Sequence, residues 1–182
     1  NLPLWALESQ EPVKDFDMIA FTIGYEMSYS NIVNMLRLSG VPIHSAQRQG
    51  LHNMVFAGGV CAFNPEPLAE FIDFFSTGEG EDSTVEIVSL YQKAKREVWS
   101  KEQFLWEVSK IQGVYVPSFY TPEYNPDGTL KAVIAREGAP KVVTKRIVEN
   151  LDTAYFPTKM IVPSTEIVHD RANLEVFRGC IR

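Results

Sequence analysis

Cysteine and histidine are scarce in this chain. Its 182 residues hold two cysteines, Cys61 and Cys180, and three histidines. Two cysteines make no disulfide framework, so a reducing, cytoplasmic setting is the default expectation. No Cys-x-x-Cys, His-Glu-x-x-His or Ser-His-Asp arrangement occurs, so the chain carries no complete catalytic apparatus of those kinds. Basic residues are outnumbered, 17 Lys and Arg against 23 Asp and Glu, for a net charge of −6 and a pI near 5.1. Without a basic stripe, direct nucleic-acid binding is not expected. The apolar runs are too short to span a membrane, and no signal pattern opens the chain. The first residue is Asn1, not methionine, and the last is Arg182, just past a cysteine; both ends read as those of a piece of a longer protein.

What is present is an ordinary globular composition, 45% hydrophobic and 22% charged. The stretch Val55–Glu81 organises it. Two apolar runs, Met54–Ala57 and Phe71–Phe75, each lead into a glycine loop, Gly58-Gly59 and Gly78-Glu79-Gly80. A strand running into paired glycines brings its backbone close to something, and a glycine loop before a helix presents free N–H groups at a positive helix end. Two such loops at one strand edge make a ligand crevice in an open α/β sheet; two tight turns without a ligand are the alternative.

Upstream, Pro3–Leu7 is expected as a strand, Met18–Ile23 as a buried parallel strand, and Val41–Ile43 as a short strand. A helix carrying Ile32, Val33 and Leu36 ends at Gly40. Downstream, Ser83-Thr84-Val85-Glu86 and Ser100-Lys101-Glu102-Gln103 have the capping-box pattern and open two helices. The first carries Ile87, Tyr91, Ala94 and Val98; the second carries Phe104, Val108 and Ile111. This order predicts a Rossmann-like, flavodoxin-like, mostly parallel sheet with helices on both faces. After Gly113 the pattern turns to strands: Val114–Tyr120, a hairpin turn at Asn125-Pro126-Asp127-Gly128, a return strand Leu130–Ala135, and Lys141–Val148. Tyr155–Pro163 is a connector, and Asn173–Phe177 a last strand.

The candidate site residues gather around the crevice. Tyr25, Glu26, Ser28 and Asn31 follow the Met18–Ile23 strand and can hydrogen-bond a ligand there, or Ser28 or Ser30 simply caps the next helix. His44 and Ser45 line the same edge if Val41–Ile43 is a strand; a loop histidine is more often solvated, and His52 is weaker still. His169-Asp170-Arg171 sits in a connector. Cys61 lacks a base at any recognisable spacing and reads as a small hydrophobe. Cys180 stands on the first loop after a strand, in Arg178-Gly179-Cys180.

The run Glu175-Val176-Phe177-Arg178-Gly179-Cys180-Ile181-Arg182 resembles the start of a radical S-adenosylmethionine (SAM) domain, in which a first barrel strand ends in Arg-Gly-Cys, the first cysteine of a Cys-x3-Cys-x2-Cys motif. Ala57-Gly58-Gly59, Pro65 and Gly78-Glu79-Gly80-Glu81 resemble the cobalamin-binding-like domain that precedes such barrels. Together with Gly59–Pro67 and Tyr25–Asn31, these motifs resemble an uncharacterised bacterial family that fuses the two, over essentially the whole chain. The resemblance implies a 4Fe-4S cluster and SAM in the parent protein, which together yield a 5′-deoxyadenosyl radical that abstracts hydrogen from a substrate. It implies Cys180 as the first cluster ligand. It also implies Gly58, Gly59, Gly78, Glu79 and Gly80, flanked by Tyr25 and Ser28, as the holder of a cobalamin or nucleotide-like ligand. The Asp-x-His-x-x-Gly signature that supplies a cobalt ligand is absent, and Val60 stands where proline is usual. The expected division is a cobalamin-binding-like domain over residues 1–112, a hairpin and linker over 113–172, and the start of a barrel over 173–182. The partner is the rest of the parent chain. The fragment alone is expected to be inactive, and its substrate is not legible. A cofactor-free docking module is the alternative: it predicts a crevice filled by side chains such as Phe63 or Met27, and exposed apolar surface elsewhere. A flavodoxin-like module binding flavin or a nucleotide predicts phosphate affinity at the helix start Ser83–Val85.

Overall fold

The structure, a computed structural model, describes residues 3–158, 166, 168 and 175–179. Four strands form one sheet in the order β1 (Met18–Thr22), β2 (Met54–Gly58), β3 (Phe74–Ser76), β4 (Val114–Tyr115). β1 and β2 pair in parallel from Met18↔Met54 to Thr22↔Gly58, β2 and β3 pair in parallel, and β4 runs antiparallel to β3. The architecture is α/β, mostly parallel and Rossmann-like. A second sheet holds only the antiparallel hairpin β5 (Tyr120–Tyr124) and β6 (Leu130–Ala135).

The two-residue period of β2 splits its side chains between two cores. Met54 joins Phe74, Phe104, Ile87, Tyr91 and Val108, the face covered by α2 (Gly80–Arg96) and α3 (Lys101–Val108). Val55 and Ala57 join Ile32, Leu36, Leu68 and Phe75 on the opposite face, covered by α1 (Tyr29–Ser39) and two turns of 3-10 helix. Helices therefore lie on both faces. Fully burying each large side chain contributes roughly 1.5–3 kcal/mol. Tyr91 keeps its hydroxyl satisfied by donating to the Leu51 carbonyl at 2.5 Å.

Caps and turns follow local chemistry. α1 ends at Gly40 in the left-handed conformation (φ 73°). Ser100 caps α3 by accepting from the Gln103 N–H at 3.1 Å. The hairpin turns at Asn125–Gly128, with Gly128 N–H donating to Asn125 O at 2.9 Å.

Several expected elements differ. Pro3–Leu7 forms no strand; only a Trp5↔Pro12 bridge is present, because the chain turns at Leu7–Ser9 on one side of it and enters a 3-10 helix at Val13 on the other. Val41–Ile43 is irregular because the Pro42 and Ile43 carbonyls accept from the Arg48 guanidinium, at 2.6 and 3.1 Å, in place of a strand neighbour. β3 begins at Phe74, not Phe71: the Asp73 carboxylate accepts the Val55 N–H at 2.7 Å where a backbone carbonyl would. The expected strand Val114–Tyr120 is broken by Pro117 into β4, a 3-10 turn and β5. α2 starts at Gly80 with Glu79 as its N-cap, so Ser83 lies inside the helix and donates back to the Glu79 carbonyl at 3.1 Å. Val98 leaves the helical face with a positive φ and is exposed. Lys141–Val148 contributes a single bridge, Gly78↔Arg146. Glu175–Phe177 lie in no ladder, and the rest of the expected last strand, with His169-Asp170-Arg171 and Cys180, lies outside the described residues.

Candidate functional site at the carboxyl edge of the sheet

The loops after β1, β2 and β3 project from the carboxyl edge, where ligands bind in open α/β sheets. That edge carries every expected cofactor residue among the described ones: Tyr25 and Ser28 after β1, Gly58 and Gly59 at the end of β2, and Gly78, Glu79 and Gly80 after β3. The glycines approach the protein's own backbone. A Cβ on Gly59 (φ 90°) would lie 2.7 Å from the Ile23 carbonyl oxygen, and one on Gly58 would lie 3.3 Å from the Ser76 oxygen. Around them Ile23 N–H donates to Gly58 O at 2.8 Å and Cys61 N–H donates to Ile23 O at 3.0 Å, tying the first two loops together.

Gly78 (φ 99°) meets the segment that follows the hairpin. A Cβ there would stand 2.1 Å from the Arg146 carbonyl oxygen and 2.6 Å from its nitrogen. Arg146 N–H donates to Thr77 O and Glu79 N–H donates to Arg146 O, both at 3.0 Å. The Glu79 carboxylate accepts the Val148 N–H. The backbone of Arg146–Val148 thus sits against the loop that was expected to cradle a ligand.

The start of α2 is acidic, with Glu81 and Asp82 in its first turn. Carboxylates there suit the positive helix end but repel an incoming phosphate. Arg146 reaches Glu86 at 2.8 Å and Asp82 at 3.8 Å. Arg178 approaches Glu79 at 3.5 Å and pairs with Glu81. Arg178 holds the Glu81 carboxyl below the usual carboxylate range by hydrogen bonding to it. The phosphate site expected at Ser83–Val85 is corrected by the same geometry: these residues are within α2, so their N–H groups are not free helix-start donors.

Tyr25 and Ser28 are divided by the structure. Ser28 precedes α1 but makes no capping hydrogen bond, and its side chain is half-buried. Tyr25 is 62% exposed, and beside it Met27 is 71%, Val60 70% and Phe63 58% exposed. Tyr29 hydroxyl donates to Cys61 O and Asn64 O, both at 3.5 Å, so the two loops bearing these side chains touch. Phe63 and Met27 therefore do not fill the crevice; they form apolar surface beside it. Burial pushes the Cys61 thiol up from its ordinary value, with Glu26 adding to the shift, as suits a packed hydrophobe and not a nucleophile.

His44 and Ser45 lie at the other end of β3, beside Asp73, and not at the carboxyl edge. Here a polar cluster escaped sequence reasoning. Buried Asp73 accepts from Arg48 Nε (3.1 Å) and a terminal nitrogen (3.0 Å), from Lys101 Nζ (2.6 Å), and from the Ser45 hydroxyl. Lys101 also donates to the Ser45 and Arg48 carbonyls, and Arg48 to the Phe71 carbonyl. The cluster floors a cleft of about 1050 Å³. Its cationic donors are spent on protein acceptors, and burial lowers the Lys101 ammonium below its usual range against the pull of Asp73. The arrangement locks a loop to the sheet and leaves no donor for an anion. A charge inside the apolar run Phe71-Ile72-Asp73-Phe74-Phe75 is the sequence signal for it. Among the described residues no group of three His, Cys, Asp or Glu side chains is placed to hold a metal ion, and no helix is long and apolar enough to cross a membrane.

A family model described as "Radical SAM proteins, N-terminal" matches residues 1–117. An uncharacterized protein of Methanocaldococcus jannaschii is 31% identical over 127 residues, which are 68% of this chain and 26% of that protein. The chain thus spans about a quarter of the length of the curated relative it matches. No solved structure matches it.

Proposed function

The chain belongs to the radical SAM protein N-terminal family, and from that premise we propose that it is the accessory domain on which the catalytic barrel of a cytoplasmic radical SAM iron–sulfur protein docks, holding no cobalamin of its own. The parent would carry a 4Fe-4S cluster and SAM, with Cys180, outside the described residues, as the first cluster ligand. When bound, that cluster supplies a reducing electron to SAM. The part of this chain is to seat and orient the barrel.

One observation supports the docking domain over the cofactor domain: the backbone of Arg146–Val148 is hydrogen-bonded along Thr77–Glu79, the loop that the resemblance implies for a nucleotide tail. Gly58, Gly59 and Gly78 are accounted for by close approach to the protein's own backbone. The acidic start of α2 disfavours a phosphodiester, and the cobalt-ligating histidine motif is missing. The residues present do not fit cobalamin. The exposed apolar surface of Tyr25, Met27, Val60 and Phe63 lies at the same edge and suits a protein partner. The remainder of the parent chain is that partner, because Arg178, leading out of the domain, is fastened at this edge through Glu79 and Glu81.

The test is a double substitution, Met27→Glu with Phe63→Glu, in the full-length protein. Both side chains are exposed, so the domain itself is expected to fold normally. The expected result is uncoupled melting, one transition for this domain and another for the barrel, by calorimetry. A single transition at the wild-type temperature would overturn the docking surface.

A further inference from the structure

We propose that Glu79 and Glu81 are a latch for Arg178, and that the Gly-Glu-Gly-Glu loop serves to hold the Arg-Gly-Cys lead-in of the barrel against this domain. Arg178 lies 97 residues from Glu81, yet its guanidinium is surrounded by carboxylates. Its Nε donates to Glu175 Oε1 at 2.8 Å, and one terminal nitrogen donates to Glu175 Oε2 at 2.9 Å and to Glu81. The other terminal nitrogen stands 3.5 Å from Glu79 Oε2. Arginine suits such a site, because its planar fork engages several carboxylate oxygens at once.

Surface ion pairs alone contribute little, but this one is multiply bonded and only about a quarter of the Arg178 side chain is exposed. Glu79 is tied down from the other side, since the oxygen facing Arg178 also accepts the Val148 N–H. One carboxylate therefore joins the start of α2, the segment after the hairpin, and the lead-in. Glu81 belongs in the first turn of α2, where the helix end already favours its charge. The glycines on either side of Glu79 match this geometry: Gly78 admits the Arg146 backbone, and Gly80 opens the helix. The latch makes Glu79, Glu81 and Arg178 positioning residues for the cluster loop two residues on. That consequence rests on reading Cys180 as a cluster ligand; the latch itself does not.

The experiment uses the full-length protein with Glu79→Gln and Glu81→Gln together, which keep shape and remove charge. Trypsin requires a free arginine side chain, so cleavage after Arg178, normalised to cleavage after Arg171, reads the latch without any metal. Cleavage after Arg178 is expected to accelerate about tenfold in the variant, the scale of losing a charge-assisted hydrogen bond. After anaerobic reconstitution with iron and sulfide, removal of iron by a chelator is expected to accelerate by a similar factor. Arg178→Gln, which removes the cleavage site and is read by iron loss alone, should accelerate that loss as much, and the triple variant should accelerate it no further. An unchanged cleavage ratio would overturn the latch. A raised ratio with unchanged iron loss would overturn the link to the cluster. A wild-type protein that takes up no iron would sink the radical SAM reading of Cys180 while the cleavage ratio still decided the latch.

Discussion

Replacing Gly78 with alanine separates a glycine that admits the protein's own backbone from one that admits a ligand. The φ of 99° costs a residue with a Cβ about 1–2 kcal/mol. The new Cβ would stand 2.1 Å from the Arg146 carbonyl oxygen, where ordinary contact begins at 3.4 Å, so the Arg146 backbone must move. That movement breaks the two hydrogen bonds, each 3.0 Å, that join Arg146 to Thr77 and Glu79, at about 0.5–1.5 kcal/mol apiece. The expected loss is about 2–5 kcal/mol, or roughly 4–20 °C in Tm for a chain of this size. Gly80→Ala is the control: its Cβ would meet only Thr84 Oγ1 at 3.4 Å, and the position is helical. It should be neutral or stabilising by about 0.4–1 kcal/mol. Urea unfolding of both variants, without any cofactor, is the assay. Equal stability of Gly78→Ala and wild type would refute the claim that the loop is built around Arg146.

Two further outcomes follow from the packing. Asp73→Asn leaves Arg48 and Lys101, both largely buried, without their countercharge; the expected cost is about 3–5 kcal/mol, and a change under about 1 kcal/mol in urea unfolding would contradict the lock assigned to this cluster. Burial raises the phenols of Tyr91 and Tyr115 well above 10.0, with Asp17 and Glu66 adding to the shifts. Above pH 10 the unfolded chain then loses tyrosine protons that the native state keeps, so stability should be full below pH 10 and fall as pH rises past it. Chemical unfolding across that range checks the sign, and rising stability would refute it.

What the sequence disclosed and what it hid divide along a physical line. Met18–Ile23 and Met54–Ala57 were legible as strands because each is a short apolar run bounded by turns, and the strands formed at Met18–Thr22 and Met54–Gly58. The turn at Asn125–Gly128 and the Ser100 cap are local chemistry, and both formed. The loops at the carboxyl edge were correctly located, since strand order fixes which ends share an edge. What fills that edge was not legible. The Gly78–Arg146 approach joins positions 68 residues apart through irregular backbone, and periodicity carries no signal of it. The same holds for Arg48, which takes the carbonyls of Pro42 and Ile43 and so removes an expected strand. Ser83 misled for a different reason: it has the capping-box residues, but Glu79 already takes the N-cap position.

The most direct test of the account is metal analysis of the full-length protein. It would be purified anaerobically, reconstituted with iron and sulfide, incubated with hydroxocobalamin and desalted before its visible spectrum, iron and cobalt are measured. Iron near four per chain is expected, as a 4Fe-4S cluster requires, with no cobalt retained, because the backbone of Arg146–Val148 already pairs with the Thr77–Glu79 loop. Cobalt retained at one per chain would contradict that expectation.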